Sequence, residues 1–243
     1  MKRILFLLSF LPLVLLTNCD GDGGSNTTKA SFNSRGGQPQ HLDRFEQEIQ
    51  AFEAADKEAM PPKGAVLFAG SSSIRLWPDL AADFDPMPVI NRGFGGSTIP
   101  ELMYYAGRII WKYEPRVLVF YCGENDIKEE TPVAVVFQNF KKFIGEVEQH
   151  LPNTEVVFIS AKPSPDRWPL WRSFQQFNDM AKQFAQNRPR LHYVDISGTL
   201  LSANGEPDKS LFMEDMLHMN RRGYEKWVAV LKPIISGLIM PTG

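Results

Sequence analysis

Five short apolar segments constrain the fold of this chain most strongly. They are continuous runs that do not alternate apolar with polar residues, so we expect strands buried on both faces of a parallel sheet. The segments are Ala65–Ala69, Pro88–Asn91, Arg116–Tyr121, Glu155–Ile159 and Leu191–Ile196. Their length of four to six residues is typical of strands and too short for helices.

Segments with helical periodicity fill most of the intervals between these strands. The predicted helices are His41–Met60, Ile99–Tyr113, Pro132–His150, Leu170–Asn187 and Arg222–Ile239. Strands that alternate with helices, joined by right-handed crossovers, predict an α/β fold. We expect a three-layer α/β/α, doubly wound domain with a five-stranded parallel sheet. The sequence contains no internal repeat and no second linker, so residues 41–243 are assigned to one domain.

The N-terminal 40 residues have a different composition. Lys2 and Arg3 precede the apolar run Ile4–Leu16, whose 13 residues suit a secretory signal and are too few for a membrane span. The segment Leu16–Cys19 resembles the lipobox of bacterial lipoproteins, which implies cleavage before Cys19 and lipidation of its thiol. The polar residues 20–40 then form a flexible tether. An ordinary cleaved signal with an incidental Cys19, followed by a plain disordered segment, is the alternative.

Overall composition excludes several classes of protein. The chain has 26 Lys and Arg against 28 Asp and Glu, a net charge of −2, and this balance argues against a nucleic-acid-binding surface. Its two cysteines exclude a disulfide scaffold and a Cys-rich zinc site, and its four histidines leave little room for a His-rich metal centre. We therefore expect no metal and no nucleic-acid partner.

Three loops at the predicted strand ends carry candidate chemistry, since ligands of parallel α/β sheets bind beyond the carboxyl ends of the strands. Gly70–Ser73 either exposes a serine hydroxyl on a sharp turn or caps a helix. Asn91–Ser97 offers glycine N–H groups to a ligand or is simply a tight turn. Gly123–Asp126 contains an asparagine whose amide can donate to a developing oxyanion, or that begins an Asx turn.

A fourth candidate lies just before the last helix. Asp215 precedes His218 by three residues, a spacing at which the carboxylate reaches the imidazole across one turn and fixes its tautomer. Glu214 is a competing acid, but its offset of one residue should turn it away from the ring. Each of the other histidines, which are His41, His150 and His192, is expected to be structural.

Taken in order, these four loops resemble the conserved blocks of the SGNH hydrolase superfamily, also called the GDSL esterase/lipase family. The resemblance covers roughly Pro62–Ile235. It implies a flavodoxin-like fold, Ser72 as nucleophile, and Asp215 with His218 as its acid–base pair. It also implies an oxyanion hole formed by the Ser72 N–H, Gly96 and the Asn125 amide, and it implies no cofactor. The neighbours Ser71 and Ser73 depart from the family pattern and leave open which serine attacks.

The implied activity is cleavage of carboxylic esters by a serine esterase or acylhydrolase, on small-molecule, glycan or lipid esters. In the loop Lys162–Trp171, Trp168 and Trp171 either stack on a sugar, line an acyl pocket, or serve as packing anchors. Transfer of the acyl group to another alcohol, or a non-catalytic binding role, are the alternatives. Together with Cys19, the resemblance leads us to expect an exported protein of the bacterial cell envelope, held to a membrane only by a lipid anchor.

Overall fold

A computed structural model describes residues 42–239 of the chain. The predicted signal peptide, the predicted lipidation site Cys19, the predicted tether of residues 20–40, and His41 lie outside this range. Within residues 42–239, no helix combines the length and the apolar character that a bilayer-spanning segment requires.

A sheet of five parallel strands forms the centre of the described part. The strands are β1 (Val66–Gly70), β2 (Val89–Gly93), β3 (Val117–Tyr121), β4 (Glu155–Ile159) and β5 (Leu191–Val194). Their order in the sheet is β2-β1-β3-β4-β5, and every neighbouring pair is parallel. The predicted α/β fold with a five-stranded parallel sheet is confirmed, and this strand order is that of flavodoxin-like folds. β5 ends two residues before its predicted end, because Asp195 turns the chain by accepting a hydrogen bond from the Ser197 N–H.

Helices cover both faces of the sheet. They are α1 (Glu46–Glu58), α2 (Ser72–Arg75), α3 (Leu80–Phe84), α4 (Ile99–Ile109), α5 (Glu124–Lys128), α6 (Val133–His150), α7 (Trp171–Ala185) and α8 (Arg221–Ile239). The five predicted helices correspond to α1, α4, α6, α7 and α8. The predicted end of α4 at Tyr113 is wrong, since the helix ends at Ile109 and Trp111–Tyr113 form a separate 3₁₀ turn. The short helices α2, α3 and α5 were not predicted, because four or five residues carry too little periodicity.

Two apolar layers hold the helices to the sheet. Alternate strand residues, such as Leu67 and Phe120, pack against α1, α4, α6 and α7 on one face. Phe68 and Val119 point to the opposite face, where they meet α2, α3 and α8. This arrangement makes the three layers predicted from the sequence, and it brings the loops after β1, β2 and β3 to one edge of the sheet.

Candidate active site

The turn from β1 into α2 exposes one serine of the triplet. Gly70 has φ +125°, and a Cβ atom there would lie 1.9 Å from the Tyr121 carbonyl oxygen, so only glycine fits. The next residue, Ser71, donates its N–H to that same oxygen at 3.0 Å. Ser71 and Ser73 are buried, whereas Ser72 is partly exposed as the first residue of α2. Ser71 stands at the N-cap position but makes no side-chain cap.

The His218 ring lies between a carboxylate and a serine hydroxyl. Its Nε2 is 2.9 Å from Ser72 Oγ, and its Nδ1 is 2.5 Å from Asp215 Oδ2. Burial raises the pKa of Asp215, but the hydrogen bonds from the His218 ring and from the N–H groups of His218 and Leu217 outweigh it and lower that pKa to about 2. Asp215 is therefore ionised at neutral pH. As the sequence predicts, the ring contacts Asp215 and not Glu214.

The segment that carries Asp215 and His218 is held by its own backbone and by α8. Met213 donates its N–H to the His218 carbonyl at 2.7 Å, and Asn220 donates its N–H to Leu211. The Tyr224 hydroxyl of α8 donates to the Ser73 carbonyl of α2 at 3.0 Å. These contacts place the imidazole beside the start of α2, although 146 residues separate His218 from Ser72.

Gly96 and Asn125 adjoin each other at the same edge. Because β1 lies between β2 and β3, the loops after β2 and β3 flank the turn that bears Ser72. Asn125 Nδ2 donates to the Ser97 carbonyl at 3.0 Å. A Cβ atom on Gly96, which is exposed, would lie 3.7 Å from that same Nδ2. The structure thus brings the two predicted oxyanion residues together.

The N-terminal part of α1 and the residue before it brace the glycine loop, Asn91–Ser97, a role that the sequence did not predict. Gly95 has φ +34°, and a Cβ atom there would lie 1.9 Å from the Phe45 ring. Its N–H donates to Glu48 Oε2 at 3.1 Å. A buried aromatic residue and a glutamate on an amphipathic helix carry no specific signal, so only the packing reveals this contact.

Asp126 caps helix α4. Both of its carboxylate oxygens accept from the Ile99 N–H, at 3.2 and 3.1 Å. Burial raises the pKa of Asp126 to about 7, even though the hydrogen bonds to backbone N–H groups act in the opposite direction. Asp126 therefore stabilises the N-terminus of α4, the helix that follows the glycine loop.

Arg167 is a second residue of the site that the sequence did not single out. Its Nη2 donates to Asn125 Oδ1 at 2.9 Å. It lies in the Pro-rich loop after β4, where the sequence directed attention only to the two tryptophans. An arginine in a loop gives no signal of its partner, because that partner is 42 residues away in the chain.

The two tryptophans of this loop stack on each other, with ring centroids 5.9 Å apart and planes at 16°. Trp171 packs in addition against the apolar layer beside α7, so packing accounts for part of its role. The loop borders the candidate site, since the Asp166 N–H donates to the Met216 carbonyl at 3.0 Å.

The remaining candidates lie apart from this arrangement. His150 stacks on Trp111, and His192 bonds to Glu155 on the adjacent strand at 2.8 Å. Cys122 is buried, and burial raises the pKa of its thiol well above the usual value. Among residues 42–239, no three His, Cys, Asp or Glu side chains are grouped as metal ligands would be.

Comparison with protein families gives a match over more than half of the chain. The model of the GDSL-like lipase/acylhydrolase family matches residues 64–226, a range that contains Ser72, Gly96, Asn125, Asp215 and His218. No curated protein sequence matches the chain significantly.

Solved structures share the fold at low sequence identity. A Streptococcus pneumonia protein described as a platelet activating factor is 20% identical, with a TM-score of 0.71 over 80% of this chain and 94% of the other. A Bacteroides fragilis protein described as an acylhydrolase is 20% identical, with a TM-score of 0.68 over 79% and 98%. An acetyl-xylooligosaccharide esterase from Geobacillus is 16% identical, with a TM-score of 0.55 over 73% and 95%. At these identities the likeness concerns the fold.

Proposed function

Because the chain belongs to the GDSL-like lipase/acylhydrolase family, we propose that it hydrolyses carboxylic esters through an acyl-enzyme on Ser72. The observation that carries the proposal is the contact of His218 Nε2 with Ser72 Oγ at 2.9 Å, while Asp215 accepts from the other ring nitrogen. A hydroxyl is a weak nucleophile unless a base accepts its proton, and this arrangement supplies the base and its orienting carboxylate.

The reaction takes two steps. In the first, the proton of Ser72 Oγ moves to His218 Nε2 while Oγ bonds to the ester carbonyl carbon, whose oxygen becomes an oxyanion. The oxyanion collapses, the alcohol leaves with the proton from Nε2, and an acyl-serine remains. In the second step, water gives a proton to Nε2 and its oxygen bonds to the acyl carbon, which forms a second oxyanion. Collapse of this oxyanion breaks the bond between the acyl carbon and Oγ, the acid leaves, and Nε2 returns the proton to Oγ, which restores Ser72. Asp215 stabilises the positive charge on the ring in both steps.

Three donors support the oxyanion in this proposal. They are the N–H groups of Ser72 and Gly96 and the second Nδ2 hydrogen of Asn125, whose first hydrogen bonds to Ser97. Donors fixed by the fold stabilise the developing charge without reorganising at the moment of reaction, and each contributes roughly 3–4 kcal/mol to transition-state stabilisation.

Replacement of single serines tests the nucleophile. Ser72→Ala should lower esterase turnover on an aryl ester by on the order of 10⁶-fold, since triad serines act as a unit with their base. Ser71→Ala and Ser73→Ala are the matched controls and should keep most activity, because neither side chain faces the ring. A fluorophosphonate should label Ser72 in the native protein. Activity that survives in Ser72→Ala would overturn the proposal.

For the substrate, we propose an acyl ester carried on a carbohydrate. The stacked rings of Trp168 and Trp171 belong to the loop that contacts the Asp215–His218 segment, and aromatic faces pack on sugar rings. The likeness to an acetyl-xylooligosaccharide esterase supports this choice.

A comparison of two substrates tests the class. Trp168→Ala should lower kcat/KM on an acetylated xylo-oligosaccharide by roughly 2- to 10-fold, the scale of one aromatic stacking contact. It should leave kcat/KM on a small aryl acetate near the wild-type value. If activity were higher on phospholipid esters than on the acetylated xylo-oligosaccharide, and Trp168→Ala had no selective effect, a lipid substrate would be favoured instead.

A further inference from the structure

The side-chain amide of Asn125 is held at both ends. Nδ2 donates to the Ser97 carbonyl at 3.0 Å, and Oδ1 accepts from Arg167 Nη2 at 2.9 Å. A carbonyl oxygen only accepts and a guanidinium only donates, so the two contacts are satisfied in only one of the two flips of the amide. That flip leaves one Nδ2 hydrogen for another acceptor.

Arg167 is itself fixed by a buried carboxylate. Its side chain is 11% exposed, and its Nη1 lies 3.6 Å from Glu124 Oε2. Glu124 also accepts from the Lys162 N–H at 2.9 Å and from Lys162 Nζ at 3.1 Å. Burial raises the pKa of Glu124, but the positive charges of Lys162 and Arg167 outweigh it and hold that pKa below its usual value. The guanidinium therefore faces a charged, buried and hydrogen-bonded carboxylate.

The loop that carries Arg167 also contacts the other half of the site. Asp166, the preceding residue, donates its N–H to the Met216 carbonyl within the segment that bears Asp215 and His218. One loop thus connects the Asn125 amide with the segment of the imidazole base.

From this geometry we propose that Arg167 is a positioning residue, which holds the Asn125 amide with its free N–H toward the acyl oxygen. The inference rests on the ester hydrolysis proposed above. If the amide rotated by 180°, Oδ1 would replace the donor and would repel the developing oxyanion. Arg167 acts in this way through Asn125 and makes no bond to the substrate.

A double-mutant cycle tests the proposal. Arg167→Met removes the donors but keeps an unbranched apolar stem, and it should lower kcat by roughly 10- to 100-fold with KM changed less than about 2-fold, because the oxyanion exists only in the transition state. Asn125→Ala should lower kcat by roughly 10²–10³-fold. The double variant should be no slower than Asn125→Ala alone, since the two residues act as one unit.

Two further variants separate positioning from a merely structural role. Arg167→Lys keeps the positive charge and one donor nitrogen, and should recover part of the lost kcat. Arg172→Met, at an exposed position of α7, is the matched control and should match the wild type. If Arg167→Met does not fold, the Arg167→Lys loss of kcat should be present with Asn125 and absent in the Asn125→Ala background. Losses that multiply in the double variant, or an unchanged kcat in both Arg167 variants, would overturn the proposal.

A spectroscopic readout keeps the inference separate from the proposed activity. The side-chain ¹H–¹⁵N resonances of Asn125, identified by their loss in Asn125→Ala, should shift in Arg167→Met and stay in place in Arg172→Met. Resonances that do not move would overturn the positioning role whether or not the protein cleaves esters. If Ser72→Ala stayed active, by contrast, the proposed function would be overturned. The Asn125 resonances would still test the role of Arg167.

Discussion

At the scale of single residues, two adjacent glycines serve different purposes. Gly95 is buried, has φ +34° and leaves no room for a Cβ atom beside the Phe45 ring. Gly96 is exposed, and a Cβ atom there would meet the Asn125 amide only at ordinary contact distance. The first glycine is therefore required by the fold, and we propose that the second is required by the substrate oxygen.

Alanine at these two positions should affect different properties, catalysis at Gly96 and stability at Gly95. Gly96→Ala should keep the melting temperature near that of the wild type but lower kcat/KM by roughly 10- to 100-fold, because a methyl group beside the amide displaces the acyl oxygen. Gly95→Ala should lower the free energy of unfolding by about 1–3 kcal/mol, since it strains the backbone and overpacks Phe45. Thermal melts and steady-state kinetics measure both effects. A fully active Gly96→Ala would show that Gly96 does not face the reacting carbonyl.

At the scale of elements, the N-terminus of α4 links the glycine loop to the helix layer. Thr98 and Glu101 form a capping box, and Asp126 of α5 accepts from the Ile99 N–H. Three orphan donors of the first turn thus find partners on side chains. The carboxylate of Asp126 is buried for this purpose, close to Glu101 and Glu129, which also raise its pKa.

Stability should depend on pH through Asp126. Its pKa in the folded state, about 7, exceeds the ordinary value of 3.8. The unfolded chain therefore ionises at lower pH than the folded protein, so the contribution of Asp126 to stability is present at low pH, decreases as pH rises above 3.8, and is lost once pH passes 7. Between pH 5 and 8, the free energy of unfolding of the wild type should fall by about 3 kcal/mol through this group, because each pKa unit corresponds to about 1.4 kcal/mol. Asp126→Asn should not show this fall.

Denaturant unfolding at the two pH values measures the difference, with Asp179→Asn, an exposed carboxylate of α7, as the control. The kcat of Asp126→Asn should change less than its stability. If the pH dependence of Asp126→Asn equals that of the wild type, the buried carboxylate is not its source.

At the scale of the whole molecule, the candidate site draws on loops that are spread through the described chain. Ser72 follows β1, Asn125 follows β3, Arg167 follows β4, and His218 precedes α8. A parallel sheet brings the carboxyl ends of its strands to one edge, and that edge is where all of these side chains meet.

We also propose that the mature protein is anchored to a membrane through Cys19. Metabolic labelling with a fatty acid should mark the wild type, and Cys19→Ala should lose both the label and the membrane partition. Cys122→Ala is the matched control and should keep the label, because its thiol is buried and donates to the Ser97 carbonyl. A mature chain that begins at another residue and stays in the aqueous fraction would contradict the proposal.

The sequence by itself predicted the five strands and the five long helices of the described part. A run such as Val117–Tyr121 is apolar at every position, and only a strand covered on both faces buries all of its side chains. The pairing of Asp215 with His218 was equally readable, since a spacing of three residues is a local property. Helix ends were less readable: α4 stops at Ile109 because Ile110 leaves the helical conformation, with φ −130°, before a separate 3₁₀ turn.

The tertiary structure alone decided the contacts between distant residues. The sequence left the choice among three serines open, and the burial of Ser71 and Ser73 together with the ring contact to Ser72 distinguishes them. It gave no indication that Arg167 bonds to Asn125. Local periodicity reports which face of an element is buried, but the partner of a polar side chain is set by which loops the sheet order brings together. For Asn125 and Arg167 that order, with β3 beside β4, is a property of the assembled sheet.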